Sequence, residues 1–203
     1  MNIHALVLAA GRSQRFAGNK LLQTIADKTC LLDRCINNLH AASINFTIVV
    51  SPANIALQQH CATMHYNFII NPHAERGMGS SLAYGVKSQA DVDGWLIVPA
   101  DMPAVLPVTI AAVISALQKN KIIVAPCYQQ RQGHPVGFAK VLYEELIQLD
   151  GDQGARAILH AHLDLLHRID VIDSGILFDV DTPEDLQKFI SDTSYPVSTP
   201  PAR

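Results

Sequence analysis

The sequence lacks several features by which common classes of protein are recognised. No apolar run approaches the roughly 20 residues that a helix needs to cross a bilayer, and Met1 leads straight into the first apolar segment, so we expect no targeting peptide. The net charge of −3 provides no basic surface for nucleic acid. The four cysteines form no C-x-x-C pair, which favours reduced thiols. We therefore expect a cytoplasmic protein that binds neither membranes nor nucleic acids.

Three well-known site motifs are also absent. The P-loop is excluded because Gly11 and Gly18 are too far apart and Leu21 follows Lys20. The dinucleotide fingerprint G-x-G-x-x-G does not occur, and neither does the zinc motif H-E-x-x-H. A nucleotide site in this chain therefore needs another architecture.

The chain has the length and composition of one α/β domain. It contains 203 residues, of which 49% are hydrophobic, enough for a sheet covered on both faces. Apolar runs predict short strands that alternate with amphipathic helices, for example a helix over 31–42 and a strand over 46–50. We expect a single-domain three-layer αβα sandwich with a mostly parallel, Rossmann-like sheet over residues 1–191. The polar, proline-rich residues 192–203 predict a disordered tail.

The first strand leads into a loop with three cations. An apolar run ends at Gly11, and Arg12, Arg15 and Lys20 follow. Ligands of open parallel sheets bind at the carboxyl ends of the strands, and arginine and lysine both suit phosphate. This pattern predicts a polyphosphate site. A surface loop that is merely basic is the alternative.

A second glycine-bearing segment leads into a helix. Gly77 and Gly79 flank Met78, and Ser80 and Ser81 begin the helical pattern. A helix N-terminus favours polar or anionic groups. An N-capped helix after a flexible turn explains the same residues without a ligand.

Asp101 follows a predicted central strand and lies between two prolines. Because Mg²⁺ prefers one or two carboxylates together with phosphate oxygens and water, Asp101 is a candidate metal ligand. A cap for the helix that starts at Pro107 is the alternative. A helix start at Thr182 and Pro183 explains the acids that follow it and leaves Asp179 and Asp181 as candidates for a second ligand, of which we favour Asp179.

Two later segments carry further candidates. His134 lies between Gly133 and Pro135. It is either an acid–base group or, as is more common for a histidine next to proline in a turn, a structural residue. Asp152 is expected to cap the next helix. Arg156 in the first turn of that helix opposes the helix dipole, so it needs a functional or packing reason.

These segments together resemble a known family. LAAGRSQRF–GNKLL resembles the signature L-A-A-G-x-S-x-R-[MF]-G-x-x-K of the MobA-like nucleotidyltransferases, in particular their molybdenum cofactor cytidylyltransferase branch. Counterparts of G-M-x-x-S-L, A-D-x-P, G-H-P-V and G-D-x-G-A-R follow in the same order, up to about Ile190. The departure is Phe16-Ala17-Gly18, where Met-Gly is usual.

The resemblance implies a fold of the nucleotide-diphospho-sugar transferase type and a set of site residues. Catalysis is assigned to Arg15, Lys20 and Asp101. Nucleotide binding is assigned to Leu8, Ala9, Ala10, Gly11, Arg12, Ser13, Lys20, Gly77, Met78, Ser80, Ser81 and Asp101. Acceptor binding is assigned to His134, Pro135, Gly154 and Arg156. Metal binding is assigned to Asp101, Asp179 and Asp181, with Mg²⁺ as the cofactor.

The implied reaction is transfer of CMP from CTP to the molybdopterin-type cofactor, with release of pyrophosphate. Ala10 favours CTP over GTP, because LAAG accompanies the cytidine enzymes of the family. A transient contact with a molybdenum hydroxylase is also implied. The alternatives are GTP as donor, another phosphorylated acceptor such as a sugar or alditol phosphate, and a non-catalytic protein that carries the cofactor.

Overall fold

The computed structural model describes residues 1–11, 16, 18–25 and 29–192. The strands are β1 (Ile3–Ala9), β2 (Phe46–Val50), β3 (Phe68–Ile70), β4 (Gly94–Pro99), β5 (Ile123–Tyr128), β6 (Arg131–Gln132), β7 (Val136–Ala139) and β8 (Leu166–Asp170). The helices are α1 (Leu31–Ala41), α2 (Ile55–Thr63), α3 (Met78–Ser88), α4 (Pro107–Gln118), α5 (Tyr143–Leu146), α6 (Arg156–Ala161) and α7 (Pro183–Ser191). The predicted alternation of strands and helices is confirmed.

The strands form one sheet with β1 near its centre. β1 pairs in parallel with β2 on one side and with β4 on the other, and β3 extends the sheet beyond β2. Beyond β4 come β7, β5 and β8, of which β7 is antiparallel to both β4 and β5. β1 to β5 and β8 therefore run in one direction, and the mostly parallel sheet is confirmed.

The reversal at β7 follows from a short connection. A parallel neighbour needs a crossover of about a dozen residues or more, and the stretch between Tyr128 and Val136 is too short for one. The chain instead turns back through β6, which pairs antiparallel with the end of β5, and continues as β7. The Gly133-His134-Pro135 segment joins these two short strands.

Helices cover both faces of the sheet. Val7 packs in a cluster with residues of α1, α2 and α4, whereas Leu6 packs in another with residues of α3, α5 and α6. Adjacent residues of a strand point to opposite faces, so this division confirms the three-layer αβα arrangement. α7 closes a third, smaller cluster through Leu186 and Phe189.

The strand order places the candidate site. The connections that leave β1 and β3 lead to opposite sides of β1, so the strand order changes direction between β1 and β4. Ligands of such sheets bind at the carboxyl ends of strands at this switch point. The loops after Ala9 and after Pro99 flank that crevice, and they carry Gly11 and Asp101.

The helix start predicted at Thr182 and Pro183 is confirmed, and the cap predicted for α6 is wrong. The Asn54 side chain accepts from the Leu57 amide, and Thr182 forms a capping box with Asp185. Asp152 does not cap α6, whose N-cap position is held by Ala155 without a side-chain hydrogen bond. Asp152 instead lies against Gly77, because the preceding loop packs onto the start of α3. The predicted tail lies outside the described residues apart from Asp192.

Within the part of the chain that the structure describes, no helix is both long enough and apolar enough to cross a membrane.

Candidate active site

An ion cluster lies at the carboxyl ends of β1 and β4. The Lys20 ammonium nitrogen is 2.7 Å from Asp101 Oδ2 and 3.0 Å from Asp181 Oδ1. The lysine side chain is only 12% exposed. Burial alone lowers the pKa of Lys20, but the charges and hydrogen bonds of the two aspartates outweigh it and raise this pKa above its ordinary value. Lys20 is therefore a fixed positive charge at neutral pH.

Asp179 adds a third carboxylate to this region. Burial raises the pKa of Asp179, and the negative charges of Asp181 and Asp101 raise it further, while Lys20 lowers it. Three carboxylates thus repel one another electrostatically, and Lys20 partly neutralises their charge. Such a group repels anions until a cation joins it, and it attracts divalent metals.

Backbone contacts hold these side chains in place. The Ala100 amide donates to the Leu8 carbonyl at 3.2 Å, and the Val180 amide donates to the Asp101 carbonyl at 2.9 Å. The second bond fixes the segment with Asp179 and Asp181 against the turn that carries Asp101. Asp101 does not serve as a helix cap, because the N-cap of α4 is Leu106.

Lys20 is positioned by the asparagine before it. The Asn19 carboxamide accepts from the Leu21 amide and donates to Asn54 Oδ1 at 2.7 Å. Since Asn54 also caps α2, the loop after β1 is tied to the loop after β2. Asparagine supplies a donor and an acceptor at once, which explains how one side chain makes both contacts.

The glycine-bearing start of α3 is built mainly by internal hydrogen bonds. The Asn71 carboxamide nitrogen lies 3.2 Å from Ser80 Oγ and 3.1 Å from Ser81 Oγ, and all three residues are buried. The Ser80 hydroxyl also bonds to the His73 carbonyl at 2.7 Å. Gly77 has a positive φ of 109°. The N-cap position is held by Gly77 without a side-chain hydrogen bond, so the serines do not cap α3 as the capping interpretation expects, and they shape the turn instead.

Two clefts open beside the ion cluster. The first, of about 530 Å³, lies at the ends of β1 and β2 and is lined by Ala10, Gly11, Gly18, Asn19, Ser51, Pro52, Ala53, Asn54, Ala74 and Glu75. The second, of about 590 Å³, lies over β4 and β7. Leu8, Met78, His134 and Arg156 are among the residues that line it. The structure thus offers space for two ligands rather than one.

His134 lines the second cleft. Its backbone amide donates to the Ile176 carbonyl at 3.0 Å, and its Nδ1 is buried without a partner among the described residues. Burial lowers the pKa of His134, and this effect and that of Arg156 exceed the opposing influence of Asp101. The imidazole is therefore neutral at pH 7.

Residues 5–166 match the family described as "MobA-like NTP transferase domain". The chain belongs to this family. It is a nucleotidyltransferase, in agreement with the nucleotidyltransferase fold and with the lysine and carboxylates at the switch point. The family resemblance predicted from the sequence is therefore confirmed.

Curated relatives of this MobA-like transferase match it over most of its length. The purine catabolism protein PucB of Bacillus subtilis (strain 168) is 29% identical over 88% of this chain and 91% of PucB. The nicotine blue oxidoreductase of Paenarthrobacter nicotinovorans is 26% identical over 93% of this chain and 96% of that protein. Among solved structures, Rv0371c of Mycobacterium tuberculosis H37Rv superposes with a TM-score of 0.83 at 25% identity, over 95% of this chain and 100% of that one. A second structure of Rv0371c is a complex with manganese.

The MobA-like fold brings together most of the residues predicted from the sequence. Lys20, Asp101, Asp179 and Asp181 form one cluster. Gly154, with a φ of 53°, lies against Met78 at the edge of the second cleft. Pro135 follows a cis peptide bond and lines a small cavity behind His134. Ala9 differs, because its side chain packs into the core and lines neither cleft.

Arg12, Ser13 and Arg15 lie outside the described residues, so their assignments stay predictions. Sequence reasoning missed Asn19, Glu75 and Arg168, which line the clefts. Asn19 had a usable signal, since it lies directly between Gly18 and Lys20. Glu75 and Arg168 had none, because neither belongs to a motif.

Proposed function

We propose that this MobA-like transferase moves CMP from CTP to a molybdopterin-type cofactor in a Mg²⁺-dependent reaction. The observation that carries the proposal is the Lys20 ammonium held between Asp101 and Asp181 at the switch point of the sheet, with a cleft on each side. One cleft is assigned to the nucleotide and the other to the acceptor. The choice of acceptor follows from the family branch that the motifs resemble.

The reaction needs positioning and charge neutralisation more than proton transfer. A phosphate oxygen of the acceptor attacks the α-phosphorus of CTP, the bond to the bridging oxygen of the β-phosphate breaks, and pyrophosphate leaves. The acceptor phosphate is already anionic near neutral pH, so no general base is required. Two anions must instead be held together, which a site with fixed positive charges accomplishes.

Lys20 supplies one such charge. Its amine is hydrogen-bonded to both carboxylates in the structure. A metal ion held by these carboxylates would compete with their hydrogen bonds to Lys20, whose amine could then turn toward phosphate oxygens. We assign Lys20 to the leaving β- and γ-phosphates, together with Arg12, Arg15 and Ser13 of the neighbouring loop and the backbone amides of Gly11.

The carboxylate cluster fits a hard divalent cation. Asp101, Asp179 and Asp181 offer only oxygen atoms, which Mg²⁺ and Mn²⁺ prefer, and Rv0371c has been solved with manganese. A bound ion would neutralise charge on the reacting phosphates. Asp101 and Asp181 converge on one amine, whereas Asp179 acts on them through its charge. We therefore assign the metal to Asp101 and Asp181 and no longer favour Asp179.

The second cleft is assigned to the acceptor. A pterin has ring nitrogens that donate and accept hydrogen bonds, and the neutral imidazole of His134, which lines this cleft, is a complementary ring. Arg156 lines the same cleft and provides a planar cation for the phosphate of the acceptor. His134 is thus a binding residue rather than a proton-transfer residue, and Arg156 acquires the functional reason that its place in the helix requires.

The first cleft is assigned to the nucleotide. Ala10 and Gly11 line it at the end of β1, where the motif places the base. The methyl group of Ala10 narrows this space compared with glycine, which favours cytosine over guanine. Met78, which the resemblance assigns to the nucleotide, lines the second cleft instead.

One relative, nicotine blue oxidoreductase, is 26% identical to this chain, and its name refers to redox chemistry. A redox role does not explain a lysine held between two carboxylates, whereas phosphate transfer does. A carrier without catalysis likewise has no need for a cation that faces the pyrophosphate.

Pyrophosphate release tests the proposal. The purified protein is incubated with Mg²⁺, molybdenum cofactor and either CTP or GTP, and released pyrophosphate and the product nucleotide are measured. Release with CTP that requires the cofactor supports the proposal. Preference for GTP assigns the enzyme to guanylyl transfer, and release only with sugar or alditol phosphates refutes the acceptor. Cofactor binding without pyrophosphate release from either nucleotide leaves the carrier role. Co-purification with a molybdenum hydroxylase would show the expected transient partner.

A further inference from the structure

Three metal-ligating side chains meet where the start of α1 approaches the end of α2. His60 Nε2 lies 2.7 Å from Asp33 Oδ1 and 3.5 Å from Cys30 Sγ. The three donor atoms are all within 4.8 Å of one another. None of these residues lines either cleft. An inference from this cluster is therefore independent of the proposed function.

The spacing fits a tetrahedral metal ion. Zinc binds thiolate sulfur at about 2.3 Å and imidazole nitrogen at about 2.0–2.1 Å, so a tetrahedral angle separates the two ligand atoms by roughly 3.5 Å. The observed separation of Cys30 Sγ and His60 Nε2 is 3.5 Å. The carboxylate is closer to the imidazole than a shared ion requires because the two are hydrogen-bonded, and a small rotation of either side chain opens that distance.

We propose that Cys30, Asp33 and His60 form a structural Zn²⁺ site, with water as the fourth ligand. One thiolate, one imidazole and one carboxylate form a donor set that suits zinc and excludes Mg²⁺ and Ca²⁺, which prefer oxygen alone. The ligands come from two different helices. The ion would therefore join α1 to α2.

The surroundings of Asp33 resemble the outer shell of a metal site. The Cys30 backbone amide donates to Asp33 Oδ2 at 3.2 Å, and the Tyr66 hydroxyl donates to Oδ1 at 3.0 Å. Such partners fix the orientation of a ligating carboxylate. Cys30 and Asp33 are buried, while the His60 side chain is 24% exposed. A metal ion therefore reaches the cluster from the side of the histidine.

The same residues do not form a catalytic dyad or triad. In a triad the acid holds Nδ1 of the histidine and the nucleophile faces Nε2, whereas both partners here approach Nε2. Burial and the neighbouring Asp33 carboxylate raise the pKa of the Cys30 thiol to about 12. The metal-free thiol therefore keeps its proton and is a poor nucleophile.

Cobalt(II) titration tests the site, because thiolate-to-cobalt charge transfer gives an absorption band that carboxylates do not produce. The full-length protein is first treated with chelator and then titrated with Co²⁺ in excess Mg²⁺, which keeps the oxygen-only cluster occupied. We expect a thiolate band that saturates at one equivalent and disappears when Zn²⁺ is added. Absence of any thiolate band in the folded wild type would refute the proposal.

Matched variants identify the ligands. Cys30→Ser and His60→Gln are expected to lower the affinity for Zn²⁺ at least tenfold, and Cys30→Ser also removes the band. Cys127→Ser and the exposed His65→Asn are controls and should match the wild type. A band that persists in Cys30→Ser overturns the assignment. If Cys30→Ser fails to fold, His60→Gln is the deciding variant, because replacing this partly exposed side chain leaves no buried cavity. Zinc affinity equal to that of the wild type in His60→Gln, together with an equal zinc-induced rise in Tm, would refute the site.

Discussion

Lys20 Nζ lies 2.7 Å from Asp101 Oδ2, although 81 residues separate them in the sequence. Each follows a strand of the central parallel pair, β1 or β4. The amine neutralises the carboxylate in this structure, and the proposed function assigns Lys20 to phosphate and Asp101 to the metal ion. The ion pair between Lys20 and Asp101 therefore joins the two charged groups to which the proposed reaction assigns separate roles.

Replacing Asp101 is expected to abolish most of the turnover. Asp101→Asn keeps the shape of the side chain but removes the charge that holds both the metal ion and Lys20. Loss of one stabilising charge at the transition state costs roughly 3–4 kcal/mol, a decrease in kcat of about 100- to 1,000-fold. The exposed Asp91→Asn is the matched control. Pyrophosphate release checks both, and turnover near the wild-type value in Asp101→Asn would remove this residue from the metal site.

The two late aspartates should differ in their effect on the metal requirement. Asp181→Asn removes a carboxylate that shares the amine with Asp101, so we expect a large increase in the Mg²⁺ concentration for half-maximal activity. Asp179→Asn removes only a nearby charge and should shift that concentration less. Mg²⁺ titrations of both variants at saturating CTP decide the question. A larger shift in Asp179→Asn would reverse the ligand assignment.

The acceptor cleft can be tested separately from the nucleotide cleft. Arg156→Ala should raise the KM for the acceptor by roughly 10- to 100-fold, because a hydrogen bond to a charged group is worth about 1.5–3 kcal/mol. The KM for CTP should change little, since Arg156 lines only the second cleft. The exposed Arg131→Ala serves as control. Equal increases in both KM values would indicate a general disturbance and contradict the division into two clefts.

The sequence predicts that Lys20 and Asp101 belong to one site, but not which of the two late aspartates contacts Lys20. Lys20 and Asp101 each follow a strand predicted from an apolar run, and the ends of neighbouring parallel strands meet at one edge. The contact of Asp181 depends on where the chain docks after β8, through the hydrogen bond from Val180 to Asp101. No local sequence pattern predicts that long-range packing, so the sequence alone gives no basis for choosing between Asp179 and Asp181.

Hydroxyl groups show a second limit of sequence reasoning. Ser80 and Ser81 occupy motif positions that suggest ligand contacts, yet both bond to Asn71 and are buried. A sequence shows which donors and acceptors exist but not which of them are already paired. The cluster of Cys30, Asp33 and His60 cannot be predicted from the sequence for a similar reason. Its formation depends on how two helices pack rather than on residue spacing.

Because His4 is buried, we expect the free energy of unfolding to decrease in mild acid. Its Nε2 lies 2.9 Å from Thr47 Oγ1 in the core, and burial lowers its pKa below the ordinary 6.5. His4 therefore binds a proton at higher pH in the unfolded chain than in the folded one. Its contribution to the free energy of unfolding is complete above pH 6.5 and is lost as the pH falls below that value. The loss is at most about 1.4 kcal/mol per pH unit.

Urea unfolding between about pH 7.5 and about pH 5.5 measures this effect. His4→Gln should show a smaller decrease in the free energy of unfolding than the wild type, even if it is less stable throughout. His65→Asn, which changes an exposed histidine, should follow the wild-type slope. An unchanged slope in His4→Gln would show that other groups, such as His134, cause the pH dependence.

Gly133 allows the chain to pass close to the segment that precedes Asp179, so an added methyl group should destabilise the fold. A Cβ at this position would collide with the carbonyl of Ile176, which accepts the hydrogen bond from the His134 amide. Overpacking of this kind costs roughly 1–3 kcal/mol, so Gly133→Ala should lower the free energy of unfolding by that amount. Gly11→Ala is the control, because no atom of the residues that the structure describes lies within 4 Å of its added Cβ. If both variants are equally stable in urea, the 174–177 segment moves aside at little cost, and His134 is held less firmly than its hydrogen bond indicates.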